Sequence, residues 1–536
     1  MKPSLKIVWQ KCADIVHSRR FVFILIAIGV LLRLKYYLEN LSLWLDEAAL
    51  VLEILRRSFW DIFFVADYNQ FSPTAPIGFL LLEKSVIACL GSSELALRLV
   101  PLACSVFSVL LFLPLARKYV HAGAVPAALA LFVFAGPLIH YSAQVKPYSC
   151  DVLVAIFLLW GAAYVRDAQL GPRHTIVIGL IAAVIIWFSY SALFVLGAIL
   201  TVLIIMALAK KQWGKSIFLF GVACLAATSF LALYFNEITQ ISGNNDLCRM
   251  WQKAFMPWPI GSFASVVWAK DATLNVFNDA LGQPWAYLFV GLFFIGMAAA
   301  FRRDREKCFL LVMPIVLVLS GAAAHKYPFY GRFVLFLVPS LALLSAEGIA
   351  YIAERFSRRP VTALVLAAAV FFYPIKNAAD ALIRAHAFEE MRPIVRYLKE
   401  HYQQFDAVFL NNSAQYGYGY YSGRWGLDTK DLFVGVIAEP PGSLREFDPA
   451  IHVVYVSYNR DSRGHLVGWR IGQSASKFSG EEWEKVRYNK RTWLVFSHAS
   501  AGYRKTVLDY FDREGKKLEE LHAPGASIYL FDMEKP

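Results

Sequence analysis

Residues 193–208 read LFVLGAILTVLIIMAL, a run with no charged side chain and the length and polarity of a bilayer-crossing helix. Phe21–Leu32, Val152–Trp160 extended to Tyr164, and Ile176–Phe188 are runs of the same kind. Their close spacing cannot be absorbed into the core of a soluble domain. The chain of 536 residues is 58% hydrophobic and 17% charged, against about 25% charged in an ordinary soluble domain. The deficit is confined to residues 21–375, whereas 376–536 look like ordinary soluble sequence.

Spans are expected at roughly 21–38, 95–116, 122–140, 149–165, 175–188, 191–209, 216–236, 284–301, 308–324, 332–352 and 361–375. Residues 74–90 are apolar but carry Glu83 and Lys84 in the middle. A charge at the bilayer centre costs at least ~3 kcal/mol, so this segment reads as a helix lying in the interface. A second interfacial helix is expected near 46–58.

The loop charges test that count. With the N-terminus inside, Arg117-Lys118, Arg166 to Arg173, Lys210 to Lys215, Arg302 to Lys307 and Arg355 to Arg359 all fall on the inner side, and all are basic. Loop 39–94 falls outside and is mainly acidic. The net charge of +13 is therefore a topological footprint, which excludes a nucleic-acid reading. The N-terminal segment reads as an uncleaved anchor. The seven cysteines form no CxxC pair and imply neither a metal cluster nor a disulfide framework. Residues 376–536 alternate helix-like and strand-like stretches: helices at 386–402, 413–421, 480–487 and 502–513, strands at 406–410, 451–456, 492–496 and 527–531. The expected fold is thus a polytopic α-helical membrane protein of about eleven spans (1–375) in the plasma or inner membrane. Its N-terminus is cytoplasmic, and a small extracytoplasmic α/β domain follows at 376–536.

Candidate chemistry sits on the outer rims. Asp46-Glu47 follows the first span closely and suits either a helix cap or a general base that orients an acceptor. Asp151 heads an apolar helix, where it suits either a cap or a functional carboxylate. Lys84, Lys146, Tyr148, His325, Lys326 and Arg332 suit snorkelling side chains or a basic cluster for a phosphate headgroup. No Walker A, GxGxxG or HExxH motif is present, so no nucleotide cofactor is implied.

Five stretches, in order, resemble the GT-C glycosyltransferases that use polyprenyl-phosphate sugars, in particular bacterial relatives of protein O-mannosyltransferases and of the aminoarabinose transferase acting on lipid A. They are LWLDEAAL (43–50), APIGFLLLEK (75–84), GSSELALRLVPLACSV (91–106), PLIHYSAQVKPYSCD (137–151) and YGRFVLFLVP (330–339). The resemblance implies an inverting transfer from a polyprenyl-phosphate-linked sugar to a hydroxyl of a glycan, lipid or protein. It implies Asp46 as the acceptor-orienting acid and Lys84, Lys146 and Arg332 as holders of the leaving phosphate. Glu47 and Asp151 would shape the acceptor or sugar pocket. The sequence departs from the family at Pro73 and Pro76, which are split where many relatives carry a Pro-Pro pair, and loop 237–283 is too short for the large lumenal insertion of eukaryotic mannosyltransferases. Some GT-C enzymes use a divalent metal. Asp46, Asp151 and His325 are able to ligate one, but no spacing demands it. The rival classes are a flippase, which predicts mid-span charges and broken helices, and a non-catalytic envelope assembly protein.

Overall fold

The computed structural model describes residues 15–16, 18–64, 75–238, 251–355, 360–383, 387–427, 429, 431–437, 451–460, 466–471 and 491–533. Its contacts divide the chain into two compact units, one of 1–39, 63–70 and 74–385, the other of 40–62, 71–73 and 386–536. The first-outer-loop segment 40–62, which the sequence reading groups with the spans, thus makes its contacts with the C-terminal residues.

In the first unit every segment expected to span is helical. The helices are α1 (Arg19–Leu38), α2 (Ile77–Leu90), α3 (Leu99–Tyr119), α4 (Val125–Val133), α5 (Gly136–His140), α6 (Tyr148–Asp167), α7 (Pro172–Phe188), α8 (Ala192–Ala209), α9 (Trp213–Leu233), α10 (Phe263–Asn275), α11 (Ala286–Arg303), α12 (Arg305–Ala323), α13 (Val338–Arg355) and α14 (Pro360–Ile383). Among the described residues, eight helical stretches are long and apolar enough to cross a membrane. The expected span 122–140 is instead a pair bent by 52°. Helix α7 has 17 residues and α14 has 24. Helix α10 lies in loop 237–283, where no periodicity announced it.

The break has a local cause. Pro137 has no N–H to offer the carbonyl of Val133 four residues back, so the ladder stops there. The guanidinium of Arg33 donates to that carbonyl at 3.4 Å, to Gly29 O at 2.9 Å and to Ser105 Oγ at 2.8 Å. Arg33 is fully buried inside the first span, a mid-span charge that the sequence reading passes over. It is held because a freed backbone carbonyl in hydrocarbon needs a donor. Nearby, a Cβ at Gly29 would meet Val133 Cγ2 at 3.0 Å, so α1 approaches α4 closely enough that a larger residue there would make the Val133 side chain give way.

Helices α11 and α13 cross backbone to backbone. A Cβ on Gly296 would lie 1.8 Å from Leu344 O, and one on Gly348 would lie 2.0 Å from Leu292 O. The loops read as inner join in ion networks at one end of the bundle. Arg303 pairs with buried Glu347 and donates to Tyr119 O at 2.8 Å. Arg166 pairs with Asp304 at 2.7 Å, Lys210 pairs with Glu306, and Lys215 donates to Arg166 O at 2.6 Å. Residues in or beside four of the five basic loops, at 119, 166, 210–215 and 303–306, thus lie together, while 356–359 of the fifth lie outside the described residues.

The second unit contains α15 (Leu45–Arg56), α16 (Met391–His401), α17 (Ala414–Trp425) and α18 (Ala501–Glu514). Its strands are β1 (Ala407–Asn411), β2 (Asp431–Ile437), β3 (Ile451–Arg460), β4 (Leu466–Ile471), β5 (Arg491–Ser497), β6 (Lys516–Ala523) and β7 (Ala526–Asp532). They form one sheet in the order β4-β3-β2-β1-β5-β7-β6. β1 runs parallel to β2 and β5, and the other pairs are antiparallel. Alternation along the strands turns Ala407, Phe409, Leu494, Phe496, Tyr529 and Phe531 to one face, where Tyr503, Val507 and Phe511 of α18 close the core. Every residue of β1 is buried, as expected of a central strand. The expected helix at 480–487 lies outside the described residues.

Candidate functional site

Each unit carries a group of the expected site residues. In the first unit, Tyr148 opens α6 and Arg332 is the second residue of the 3-10 turn Gly331–Leu337, which leads into α13. The Arg332 guanidinium carbon lies 5.8 Å from the ring centre of Tyr148, 5.7 Å from Phe333 and 5.4 Å from Trp251. Three electron-rich faces thus box one cation, an arrangement worth about 0.5–2 kcal/mol per favourable face. Tyr141 packs edge-on against Tyr148, with centroids 5.0 Å apart. Trp251 was not among the expected residues. It comes from a segment remote in sequence, and the aromatic content of loop 237–283 was the signal available.

Lys146 is 5% exposed, in a tight turn closed by its N–H to Gln144 O at 2.7 Å. Lys84 is half-buried on α2. The beginning of α2 is held by Tyr190, whose hydroxyl donates to Ala75 O at 3.2 Å, and by Gly78, where a Cβ would meet the Phe188 ring at 2.7 Å. The same 188–191 corner holds Asp151. Ser189 Oγ donates to Asp151 Oδ1 and lies 2.9 Å from Ser191 Oγ. Asp151 is buried, so its carboxylate ties α6 to the start of α8. Tyr327 stands close by. Burial, then the Asp151 charge, pushes its phenol well above the usual tyrosine value, and its hydroxyl donates to Phe333 O at 2.9 Å. Beneath Tyr148, a cavity of about 10 Å³, the room of one water, is lined by Arg33, Ser105, Tyr141 and Ser149.

His325 and Lys326 are placed differently. His325 is exposed, at φ 54°, with Nε2 2.8 Å from Met256 O and its ring stacked on Phe255. It fastens the turn to residues 255–256. Lys326 is exposed, and its backbone N–H closes the end of α12 on Gly321 O at 2.9 Å.

In the second unit, Asp46 and Glu47 fill the first turn of α15. Glu47 is 1% exposed, and its Oε2 accepts from the Trp44 N–H at 3.5 Å, so it caps its own helix. Asp46 is half-buried. Two further acids, Glu389 and Glu390, grip the strand of chain leading to it. Glu389 Oε2 accepts from Leu45 N–H at 3.1 Å, and its other oxygen accepts from Ser497 Oγ. Glu390 accepts from Ser42 N–H at 3.1 Å and from Ser42 Oγ at 2.6 Å. Ser42 Oγ in turn accepts from Arg392 N–H at 3.1 Å, and Tyr421 Oη accepts from Leu43 N–H at 2.9 Å. Ser497 is fixed by reciprocal bonds with Asn411 at 2.8 and 2.9 Å. This anchor therefore sits at the carboxyl ends of the parallel strands β1 and β5, where open α/β sheets form their crevices. The Tyr416 phenol is pushed up to about 12 by burial and then by the Asp46 charge, which makes Tyr416 a neighbour of Asp46 that sequence reasoning missed. Its trace in the sequence is the YGYGYY run 416–421.

Among the described residues, no group of three His, Cys, Asp or Glu side chains is placed to hold a metal ion. Of the three residues able to ligate one, Asp151 is engaged by Ser189 and His325 by Met256.

No family model matches this chain, and no curated protein matches it. Among solved structures, ArnT from Cupriavidus metallidurans bound to undecaprenyl phosphate aligns with a TM-score of 0.53 at 11% identity, over 96% of this chain and 98% of that one. The apo state of the same ArnT aligns with a TM-score of 0.53 at 12% identity, over 95% and 97%. The Archaeoglobus fulgidus oligosaccharyltransferase in complex with Zn and sulfate gives a TM-score of 0.45 at 12% identity. That alignment takes in 74% of this chain and only 61% of the archaeal one. It is too loose to carry an argument. The ArnT likeness shows that this chain shares the overall fold of that membrane protein over most of its length.

Proposed function

We propose that this protein is an inverting glycosyltransferase that takes a sugar from a polyprenyl-phosphate donor and passes it to a hydroxyl acceptor at the outer face of the membrane. The observation that carries the reading is the nearly full-length fold likeness to a protein crystallised with undecaprenyl phosphate. The boxed Arg332 supports it, because a guanidinium with a fixed plane suits a phosphate. In the proposed reaction the acceptor hydroxyl attacks the anomeric carbon, and the bond from that carbon to the phosphate oxygen breaks. The hydroxyl proton passes to the Asp46 carboxylate. The lipid phosphate leaves with the bonding electrons, and its charge is met by Arg332, Lys84 and Lys146. Tyr416, protonated far above neutral pH, is a hydrogen-bond donor beside Asp46. Asp151 acts as a positioning residue. The cytoplasmic N-terminus, external C-terminal unit and plasma-membrane location belong to this proposal, on the basic loops that share one end.

Two features that a lipid flippase would share are the mid-span Arg33 and the bent pair α4–α5. They account for each other, since Arg33 donates to the carbonyl that Pro137 leaves open. The deciding experiment supplies the purified protein in nanodiscs with a polyprenyl-phosphate sugar, with a nucleotide sugar, or with neither, and follows acceptor glycosylation by mass. Transfer from the lipid donor alone is expected. Transfer from the nucleotide sugar without any lipid carrier overturns the proposal.

A further inference from the structure

We infer that Cys104 and Cys150 are a redox-active pair that closes to a disulfide between α3 and α6. Their sulfurs lie 3.2 Å apart, although the residues come from different membrane helices. Among the described residues this is the one sulfur pair in contact, and the two are free thiols, as are Cys89, Cys224 and Cys308. The bland alternative is that each cysteine is a small hydrophobe, which suits Cys308 in its buried position. It does not require two thiols on separate helices to point at one another.

The surroundings hold the pair in place. Cys150 is buried between two pinned neighbours: Ser149 Oγ donates to Tyr141 O at 2.9 Å, and Asp151 accepts from Ser189. Cys104 is half-buried in the second turn of α3, and Ser105 beside it accepts from Arg33 at 2.8 Å. Closing to a bond needs the sulfurs, 3.2 Å apart, to approach by about 1 Å, to the ~2.05 Å of an S–S bond.

The oxidant class is a disulfide, and the step is thiol–disulfide exchange. The more accessible Cys104 thiolate attacks one sulfur of the incoming disulfide, which breaks, and the first leaving thiolate departs. The Cys150 thiolate then attacks Cys104 Sγ in the mixed disulfide and expels the second thiolate. The two protons of the original thiols end on the two leaving thiolates, so the pair loses two electrons and the incoming disulfide gains them. The product fastens the helix that carries Tyr148 and Asp151 to its neighbour. The inference does not depend on the glycosyltransferase reading.

The test uses the full chain in nanodiscs with bis(2-hydroxyethyl) disulfide as the probe. After acid quench the protein is denatured, alkylated with N-ethylmaleimide and digested. The expected result is loss of maleimide at both Cys104 and Cys150. A linked peptide lighter by two hydrogens than the reduced pair is recovered, and Cys89 stays outside any link within the chain. In C150S the linked peptide disappears and Cys104 keeps the mixed disulfide. Maleimide on both cysteines of the oxidised wild type, a mixed disulfide that never resolves, or a link between two copies of the chain overturns the inference.

Discussion

The backbone N–H of Leu45 donates to Glu389 Oε2 at 3.1 Å, so the residue just before Asp46 is fastened to the entry of the sheet-bearing unit. With Ser42 on Glu390 and Leu43 on Tyr421, the acidic turn is set by hydrogen bonds from residues far along the chain. Glu389→Ala leaves the Leu45 N–H and the Ser497 hydroxyl without this acceptor. The expected cost is about 1–3 kcal/mol for buried groups left unsatisfied. Glu389→Gln keeps one acceptor oxygen and loses less. Limited proteolysis checks this: cleavage between residues 40 and 62 should speed up in the alanine variant far more than in the glutamine one.

The same carboxyl gives a pH signature. Burial holds Glu389 above the usual glutamate value, against the opposing bonds from Ser497 and Leu45 and the His498 charge. The folded state then binds a proton more readily than the unfolded state. Its contribution is most favourable below the unfolded value and is lost as pH rises from there through the raised folded value. Thermal unfolding in mildly acidic buffers should show a negative slope of stability against pH, and Glu389→Gln should flatten it. An identical slope in wild type and variant removes Glu389 as its source.

Arg33 and Pro137 form a second testable pair. Arg33→Leu strands the Val133 carbonyl and the Ser105 hydroxyl, for an expected loss of about 1–3 kcal/mol. Pro137→Ala restores an N–H that the carbonyl is able to use, so the double variant should lose less than the sum of the single ones. A coupling of about 0.5–3 kcal/mol is the expected range for contacting partners. Strict additivity in thermal melts in detergent disproves the link between the buried arginine and the break.

How far the sequence reaches is clear at these positions. Apolar runs mark where helices are, and all the expected spans are helical. Hydropathy is blind to direction, so the bend at 134–135 passed as one span although Gly136 and Pro137 stood in view. Arg33 lies close enough to the end of its run to resemble a flanking charge. β6, KKLEELHA, reads as surface because it is an exposed edge strand that buries no apolar face. The order of strands depends on contacts between distant segments, which local patterns do not encode. The same limit explains the site. Tyr148 and Arg332 are candidates by type and position alone, while Trp251, Tyr327 and Tyr416 become candidates only once the chain has brought them beside those residues or beside an acid.

Close helix crossing predicts intolerance at Gly296. A Cβ there falls 1.8 Å from a backbone oxygen, so α11 and α13 must separate to admit it. Gly296→Ala should cost about 1–3 kcal/mol, the usual range for overpacking, and should lower the melting temperature of the purified protein. Gly214 has nothing within 4 Å of its Cβ position, so Gly214→Ala is the matched control and should be neutral or slightly stabilising.

Asp46 is the position where the proposed chemistry is most exposed to failure. Its neighbour Glu47 already accepts from the Trp44 N–H, so the helix has its cap without Asp46. Asp46 is half-buried at the first turn, and removing its charge leaves the bonds of Ser42, Leu43 and Leu45 intact. Asp46→Asn should therefore leave the fold in place, with a melting temperature close to wild type. If Asp46 accepts the acceptor's proton, the same change should slow transfer by about 10²–10⁴-fold, the usual contribution of a positioned general base. Tyr416 supplies an internal check. The Asp46 charge adds to the burial that raises its phenol, so in Asp46→Asn its titration should move back toward the ordinary tyrosine range. An ultraviolet difference titration of wild type, Asp46→Asn and Tyr416→Phe reads that shift apart from activity. A shifted phenol with wild-type transfer would leave Asp46 as an electrostatic neighbour only, and the proton acceptor would have to be sought elsewhere.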